Sequence, residues 1–292
     1  MIISASRRTD IPSYHGRWLM NRLHAGYALT RNPMNLRQIQ RVCLSPQSVD
    51  CIVFWTKNAA PFLPYLDEIE AMGYAYYFQH TLTPYGADLE PGLPPKEELL
   101  EQVAALGSRI GRQRLVWRYD PIILTSRYDM PFHLNAFERY CRALSPYTDE
   151  VVISFFDLYK RLQKSGLHEA APEEIRLLAP QLGQIAASYH LRIRACSEAM
   201  DLSSYGIERG SCIDLQRISR ITHTAPRAQK DAGQRPHCGC SKSVDIGAYN
   251  TCLNGCHYCY ANYSKASIDR NLSQCDPDSP FLLGQLKPGE HI

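Results

Sequence analysis

The sequence has no uninterrupted apolar run approaching the length of a membrane span. Its start, MIISASRRTDIP, lacks a charged region followed by a long apolar stretch, so no secretory leader is expected. Together these absences predict a cytoplasmic chain with no membrane partner. No charge sign dominates either: 32 Lys+Arg stand against 29 Asp+Glu, a formal net charge of +3. So small an excess does not by itself imply nucleic acid. No G-x-G-x-x-G turn follows any apolar run, which argues against a dinucleotide-binding open sheet. Internal repeats and low-complexity tracts are also missing. What remains is a 292-residue chain, 45% hydrophobic, with enough material for one large domain or two small ones.

Cysteine is the exception to this plainness, with eleven in the chain. Without an export signal the thiols are expected to stay reduced, so clustered ones point to metal, redox chemistry or a nucleophile. Cys43, Cys51 and Cys141 are scattered in apolar surroundings and read as small core residues. The other eight, from Cys196 to Cys275, all fall in the last third of the chain.

Short apolar runs alternate with helical patterns: IIS, CIVFWT, YAYYFQHTL, RLVWRYDPIIL, EVVISFF and LRIRACSE are each followed or separated by amphipathic stretches. This alternation predicts an α/β fold with a parallel sheet, read as a TIM-like (β/α) barrel, complete, partial or circularly permuted. Residues 1–200 would form the barrel scaffold. Residues 201–292 would form a Cys-rich segment packed on its strand-end face. In such a barrel chemistry sits at the carboxyl ends of the strands. Those ends carry Arg7, Arg8 and Asp10, Lys57, His80, Arg118 with Asp120, and Arg194. Arg118 falls inside a strand, where an arginine calls for a buried anionic partner. Arg7, Asp10, Lys57, His80, Arg118 and Asp120 are therefore the expected catalytic set, facing a polar, anionic ligand.

The stretch TCLNGCHYCYAN, residues 251 to 262, places Cys252, Cys256 and Cys259 in a C-x3-C-x2-C spacing with Tyr258 before the third cysteine. Three thiolates so close can face one metal centre. A 4Fe–4S cluster usually takes four, so a triplet leaves one iron open. Zinc would want a fourth ligand and usually two C-x2-C pairs. This stretch resembles the signature loop of radical S-adenosylmethionine enzymes. The resemblance implies a 4Fe–4S cluster held by Cys252, Cys256 and Cys259, with S-adenosylmethionine chelating the open iron and Tyr258 near its adenine. It also implies a partial or full barrel, and a reductase or flavodoxin-type electron donor. In that family the motif follows the first strand; here it follows the late segment SVDIGAY, as a circular permutation would place it. The family's Gly-Gly-Glu-like segment has no counterpart, and SRRTD stands in its place. There Asp10 would accept from the methionine amino group, and Arg7 or Arg8 would pair with its carboxylate. The whole chain further resembles an uncharacterised bacterial family that shares the SASRRTDIP start and a C-terminal cysteine cluster.

Cys196, Cys212, Cys238 and Cys240 form a second group, suited to another 4Fe–4S cluster or a four-cysteine zinc site. A rival reading makes Cys238 or Cys240 the fourth ligand of the triplet's own cluster. Cys275 fits neither group. The expected function is a radical S-adenosylmethionine-like enzyme of unknown substrate. The alternative is a non-catalytic iron–sulfur or zinc protein, serving electron transfer or binding nucleic acid through Arg217, Arg220, Arg227, Lys230, Arg235 and Lys242.

Overall fold

The computed structural model describes residues 1–235, 237–287 and 289–290. The chain opens with β1 (Ile2–Ala5), α1 (Ile11–Tyr14) and α2 (Gly16–Ala25), then a hairpin of β2 (Tyr27–Asn32) and β3 (Asn35–Cys43). Strand–helix alternation follows: β4 (Cys51–Thr56), α3 (Leu66–Ala71), β5 (Tyr76–Thr81), α4 (Lys96–Ile110), β6 (Leu115–Ile122), α5 (Met130–Leu144), β7 (Glu150–Phe155), α6 (Pro172–Ser188) and β8 (Arg192–Ala195). The last third adds β9 (Glu208–Arg209), α7 (Leu215–Thr222), β10 (Val244–Asp245) and α8 (Lys265–Leu272).

Eight strands form one parallel sheet in the order β10-β1-β4-β5-β6-β7-β8-β9, flanked by helices. Every apolar run expected as a strand lies in it. The edges are β10 and β9, and no ladder joins them among the described residues. Both edge strands come from the segment after residue 200.

The two faces of the sheet are buried differently. Side chains alternate across a strand, so Ile52, Phe54, Tyr76, Phe78, Leu115 and Trp117 join the helices in the main core. Cys51, Val53, Tyr77, Val116 and Val152 point the other way, against Cys212, Ile213 and Ile218. The helices present matching stripes. In α4 the buried positions Leu99, Val103, Leu106 and Ile110 recur at helical spacing. Asp129 caps α5 by accepting from Phe132 N, 2.9 Å away.

The final stretch, from residue 276 on, has no regular helix among its described residues, yet it is packed. Ser279 O accepts from Trp18 Nε1 (3.0 Å) and Pro280 O from Leu29 N (2.8 Å). Positions 288, 291 and 292 of that stretch lie outside the described residues.

Candidate functional site

One cavity of about 660 Å³ opens at the carboxyl ends of the strands. Its walls are built from both ends of the chain. Asp245, at the end of β10, accepts from Ser4 Oγ (2.9 Å), Ser6 Oγ (2.6 Å) and Arg7 N (2.8 Å). Beside it Gly247 has no room for a side chain, since a Cβ would stand 2.1 Å from Ser6 Oγ. This fastening brings the loop after β10 alongside the loop after β1.

The cysteine loop then leans on the segment after β5. His257 N donates to Leu89 O (2.9 Å) and Gly92 N to Asn254 O (3.0 Å). Gly255 takes a φ of +65°, which lets the chain turn between Cys252 and Cys256. Cys252, Cys256 and Cys259 all line the cavity. Burial drives the Cys252 thiol upward and pushes Cys256 to about 12. Burial thus favours the neutral thiols of Cys252 and Cys256, and binding a metal would release their protons.

Tyr258 lines the same cavity, and its hydroxyl donates to Glu90. Glu90 does not itself line the cavity but is the hub behind this wall. Its side chain is fully buried, and it accepts from Lys57 Nζ (2.7 Å), from Thr83 Oγ1 (2.8 Å) and from Lys96. Burial alone would raise its carboxyl, but the Lys57 and Lys96 charges outweigh that and hold it at about 2. The two ammoniums fare differently. Burial would lower both, yet attraction to Glu90 wins at Lys57, which is raised, while Lys96 is lowered with Lys57 repulsion adding to burial.

Asp10 is committed to structure. It accepts from Ser13 N (3.0 Å), from Lys57 N (2.8 Å) and from Asn254 Nδ2 (3.1 Å), tying β1, β4 and the cysteine loop together. Arg8 lies over the Tyr249 ring and reaches Gly247 O at 3.4 Å. Arg7 and Arg118 both stack on Trp55, at 5.0 and 5.3 Å from its ring centre. Arg7 Nη2 is buried and has no hydrogen-bond partner among the described residues. Arg118 does have the anionic partner its in-strand position requires: it pairs with Asp120 and donates to Cys212 Sγ at 2.7 Å. Arg7, Arg8, Asp10, Trp55, Arg118 and Asp120 all line the cavity.

His80 is the exception among the expected set. It sits one residue beyond Gln79 in β5, so it points to the helical face, where it is fully buried. It does not line the cavity. Neither ring nitrogen has a partner among the described residues, and burial followed by the Lys57 charge pushes it down to about 3.

The second cysteine group gathers beyond β8. Cys196 Sγ lies 3.2 Å from Cys212 Sγ. The Cys212 carbonyl is held by Tyr77 Oη (2.5 Å) and Gln79 Nε2 (2.9 Å), both on β5. Cys240 Sγ accepts from the backbone of Cys212 (3.2 Å) and Ile213 (3.4 Å). Hydrogen bonds from the Cys212 and Cys238 thiols push Cys240 down, and Cys212 rises in turn. Cys196, Cys212, Cys238 and Cys240 also line the cavity. Among the described residues, no three His, Cys, Asp or Glu side chains converge closely enough to hold a single ion.

Of the scattered cysteines, Cys51 and Cys141 are buried in the core, whereas Cys43 is only half-buried at the end of β3. Cys275 is half-buried and away from the cavity. The basic run is partly committed internally. Arg217 is 1% exposed and pairs with Asp149 and Glu150, and Arg235 pairs with Asp157. Burial of this kind keeps Arg217 from facing phosphates.

Trp55, Glu90, Lys96 and Asp245 were not among the expected site residues. Only Trp55 carried a signal, as the polar-tipped aromatic of a strand that otherwise reads as core. No helix among the described residues is long and apolar enough to cross a membrane. Neither a curated protein nor a solved structure matches the chain. A family profile described as "Domain of unknown function (DUF1848)" matches residues 2–261, and the chain belongs to that family.

Proposed function

We propose that the chain is a radical S-adenosylmethionine-like iron–sulfur enzyme. The observation that carries this reading is the placing of Cys252, Cys256, Cys259 and Tyr258 on one cavity with Arg7, Lys57 and Arg118. The donor set fits a 4Fe–4S cluster: three buried or half-buried thiols in one short loop. When bound, such a cluster supplies the electron that cleaves S-adenosylmethionine to a 5′-deoxyadenosyl radical.

The chain's own residues would bind and shield. Arg7 Nη2, buried and unpartnered among the described residues, suits the carboxylate of an amino-acid ligand. Tyr258, locked by Glu90, offers a ring face for a base. Asp10 is taken up by three donors, so the acceptor for an amino group must come from elsewhere on the cavity wall.

The strand order supports the finer reading of the fold as a circularly permuted barrel. If β10 is counted first, the sheet runs β10, β1, β4, β5, β6, β7, β8, β9, each strand beside its successor. The cysteine loop then follows the first strand. Expected surroundings are the cytoplasm and an electron donor of reductase or flavodoxin type.

The test is anaerobic reconstitution followed by S-adenosylmethionine and dithionite. Slow release of 5′-deoxyadenosine without substrate is expected. A reduced, intact cluster whose electron paramagnetic resonance spectrum ignores S-adenosylmethionine, with no product, would replace this reading with a non-catalytic iron–sulfur protein.

A further inference from the structure

We propose that Cys196, Cys212, Cys238 and Cys240 hold a second iron–sulfur cluster, separate from the one assigned to the Cys252–Cys259 loop. The inference shares no ligand with that assignment and stands without it.

The four sulfurs are neighbours. Cys196 contacts Cys212 at 3.2 Å, Cys212 contacts Cys240, and Cys240 contacts Cys238. The elements that deliver them are far apart in sequence: the end of β8, the turn after β9, and the segment before β10. Three of the four are nearly fully buried, at 2%, 6% and 2% for Cys212, Cys238 and Cys240. Cys212, Cys238 and Cys240 share an apolar cluster with Cys51, as small buried thiols do. Cys212 and Cys240 differ from Cys51 in also meeting hydrogen-bond donors. Arg118 Nη1 points at Cys212 Sγ from 2.7 Å, and two backbone N–H groups point at Cys240 Sγ. Such donors favour sulfur that carries negative charge, which is the state a metal requires.

A tetrahedral zinc with 2.3 Å bonds would need all four sulfurs on one ion, every pair at about 3.8 Å. Among the described residues no group of three or more ligating side chains is placed to hold one ion, whereas a cubane takes one thiolate at each of four separate corners. A disulfide is the remaining rival, since Cys196 and Cys212 are neighbours, but their 3.2 Å separation is well beyond the roughly 2.05 Å of a bond.

Anaerobic reconstitution of three chains tests this, with iron, sulfide and zinc counted in each. The wild type should hold about eight irons. The Cys252→Ala, Cys256→Ala, Cys259→Ala variant should keep about four, with acid-labile sulfide and cluster absorbance. Cys196→Ser with Cys240→Ser should lose half of the wild-type iron. The proposal is overturned by a folded triple variant with no iron, by about one zinc in place of that iron, or by a Cys196–Cys212 disulfide in the freshly purified chain. Folding of each variant is checked by circular dichroism. Should the serine pair fail to fold, the triple variant still decides, because it leaves the four cysteines intact. Failure of S-adenosylmethionine cleavage would touch the first site alone, since these counts do not depend on turnover.

Discussion

Replacing Glu90 with Gln isolates the charge at the centre of the Lys57–Glu90–Lys96 group. The amide keeps an oxygen for Thr83 and Tyr258 but turns an N–H toward an ammonium and leaves two cations without an anion. Removing one member of a buried pair costs roughly 3–5 kcal/mol. Lys57 and Lys96 keep 13% and 15% exposure, so partial hydration places the expected loss near the lower end. Linkage gives a similar figure: moving the Glu90 carboxyl from 4.5 to about 2 corresponds to about 3 kcal/mol at neutral pH. Urea titration of the apo chain should show that loss, with a melting temperature lower by roughly 6–12 °C. The sign with pH follows from the lowered carboxyl. Its contribution is complete above about 4.5 and is lost as pH falls toward 2. The gap between wild type and variant should therefore narrow through that window. A loss below about 1 kcal/mol at pH 7, well short of the buried-pair range, or a gap that widens in acid, would refute the electrostatic account of this wall.

Two further outcomes follow from geometry away from the ligand sulfurs. Hydrogen bonds from Ser48 and Ser45 bring the Cys43 thiol down to about 7, so iodoacetamide should label it first among Cys43, Cys51 and Cys141, with a rate that rises through pH 7. Mass mapping that finds Cys51 or Cys141 labelled first would contradict this. Gly92→Ala would put a Cβ 2.4 Å from Leu253 O and 2.7 Å from Asn254 O, so the cysteine loop must shift. The expected cost is about 1–3 kcal/mol, with iron lost from that loop on reconstitution; full iron and unchanged stability would show that the loop does not depend on this contact.

The central strands were legible because each is a compact apolar run bounded by turn residues, and β4 through β8 fall where those runs do. Their facing was not. In a parallel sheet buried on both sides the period-two signal disappears, so Gln79 and His80 looked equivalent although only Gln79 reaches the Cys212 carbonyl. The β2–β3 hairpin escaped notice for the opposite reason. β3 carries Arg37, Gln38, Gln40 and Arg41 on a largely exposed strand, with no apolar alternation to mark it. β9 and β10 are two residues each, too short for any pattern. The cysteine groups were readable from spacing and position, since thiol clusters are rare outside metal or redox sites. Glu90 was not, because a single acid in a Gly- and Pro-rich loop has nothing to distinguish it until Tyr258 and two lysines arrive around it.

The pairing of β10 with β1 also sets a timetable. Ser4 and Asp245 are 241 residues apart. At about 5–20 residues per second, roughly 12–50 s of synthesis separate the making of the two partners. During that interval one edge of β1 has no strand to pair with, and an open edge is a template for unwanted pairing. The same delay protects the cell in another way. Every sulfur assigned here to a metal comes from residue 196 onward, while the cations that face the cavity come mainly from the first half. A chain interrupted before its last strand therefore lacks the Cys252–Cys259 loop, so the centre assigned to that loop can exist only once the last part of the chain has docked against the first.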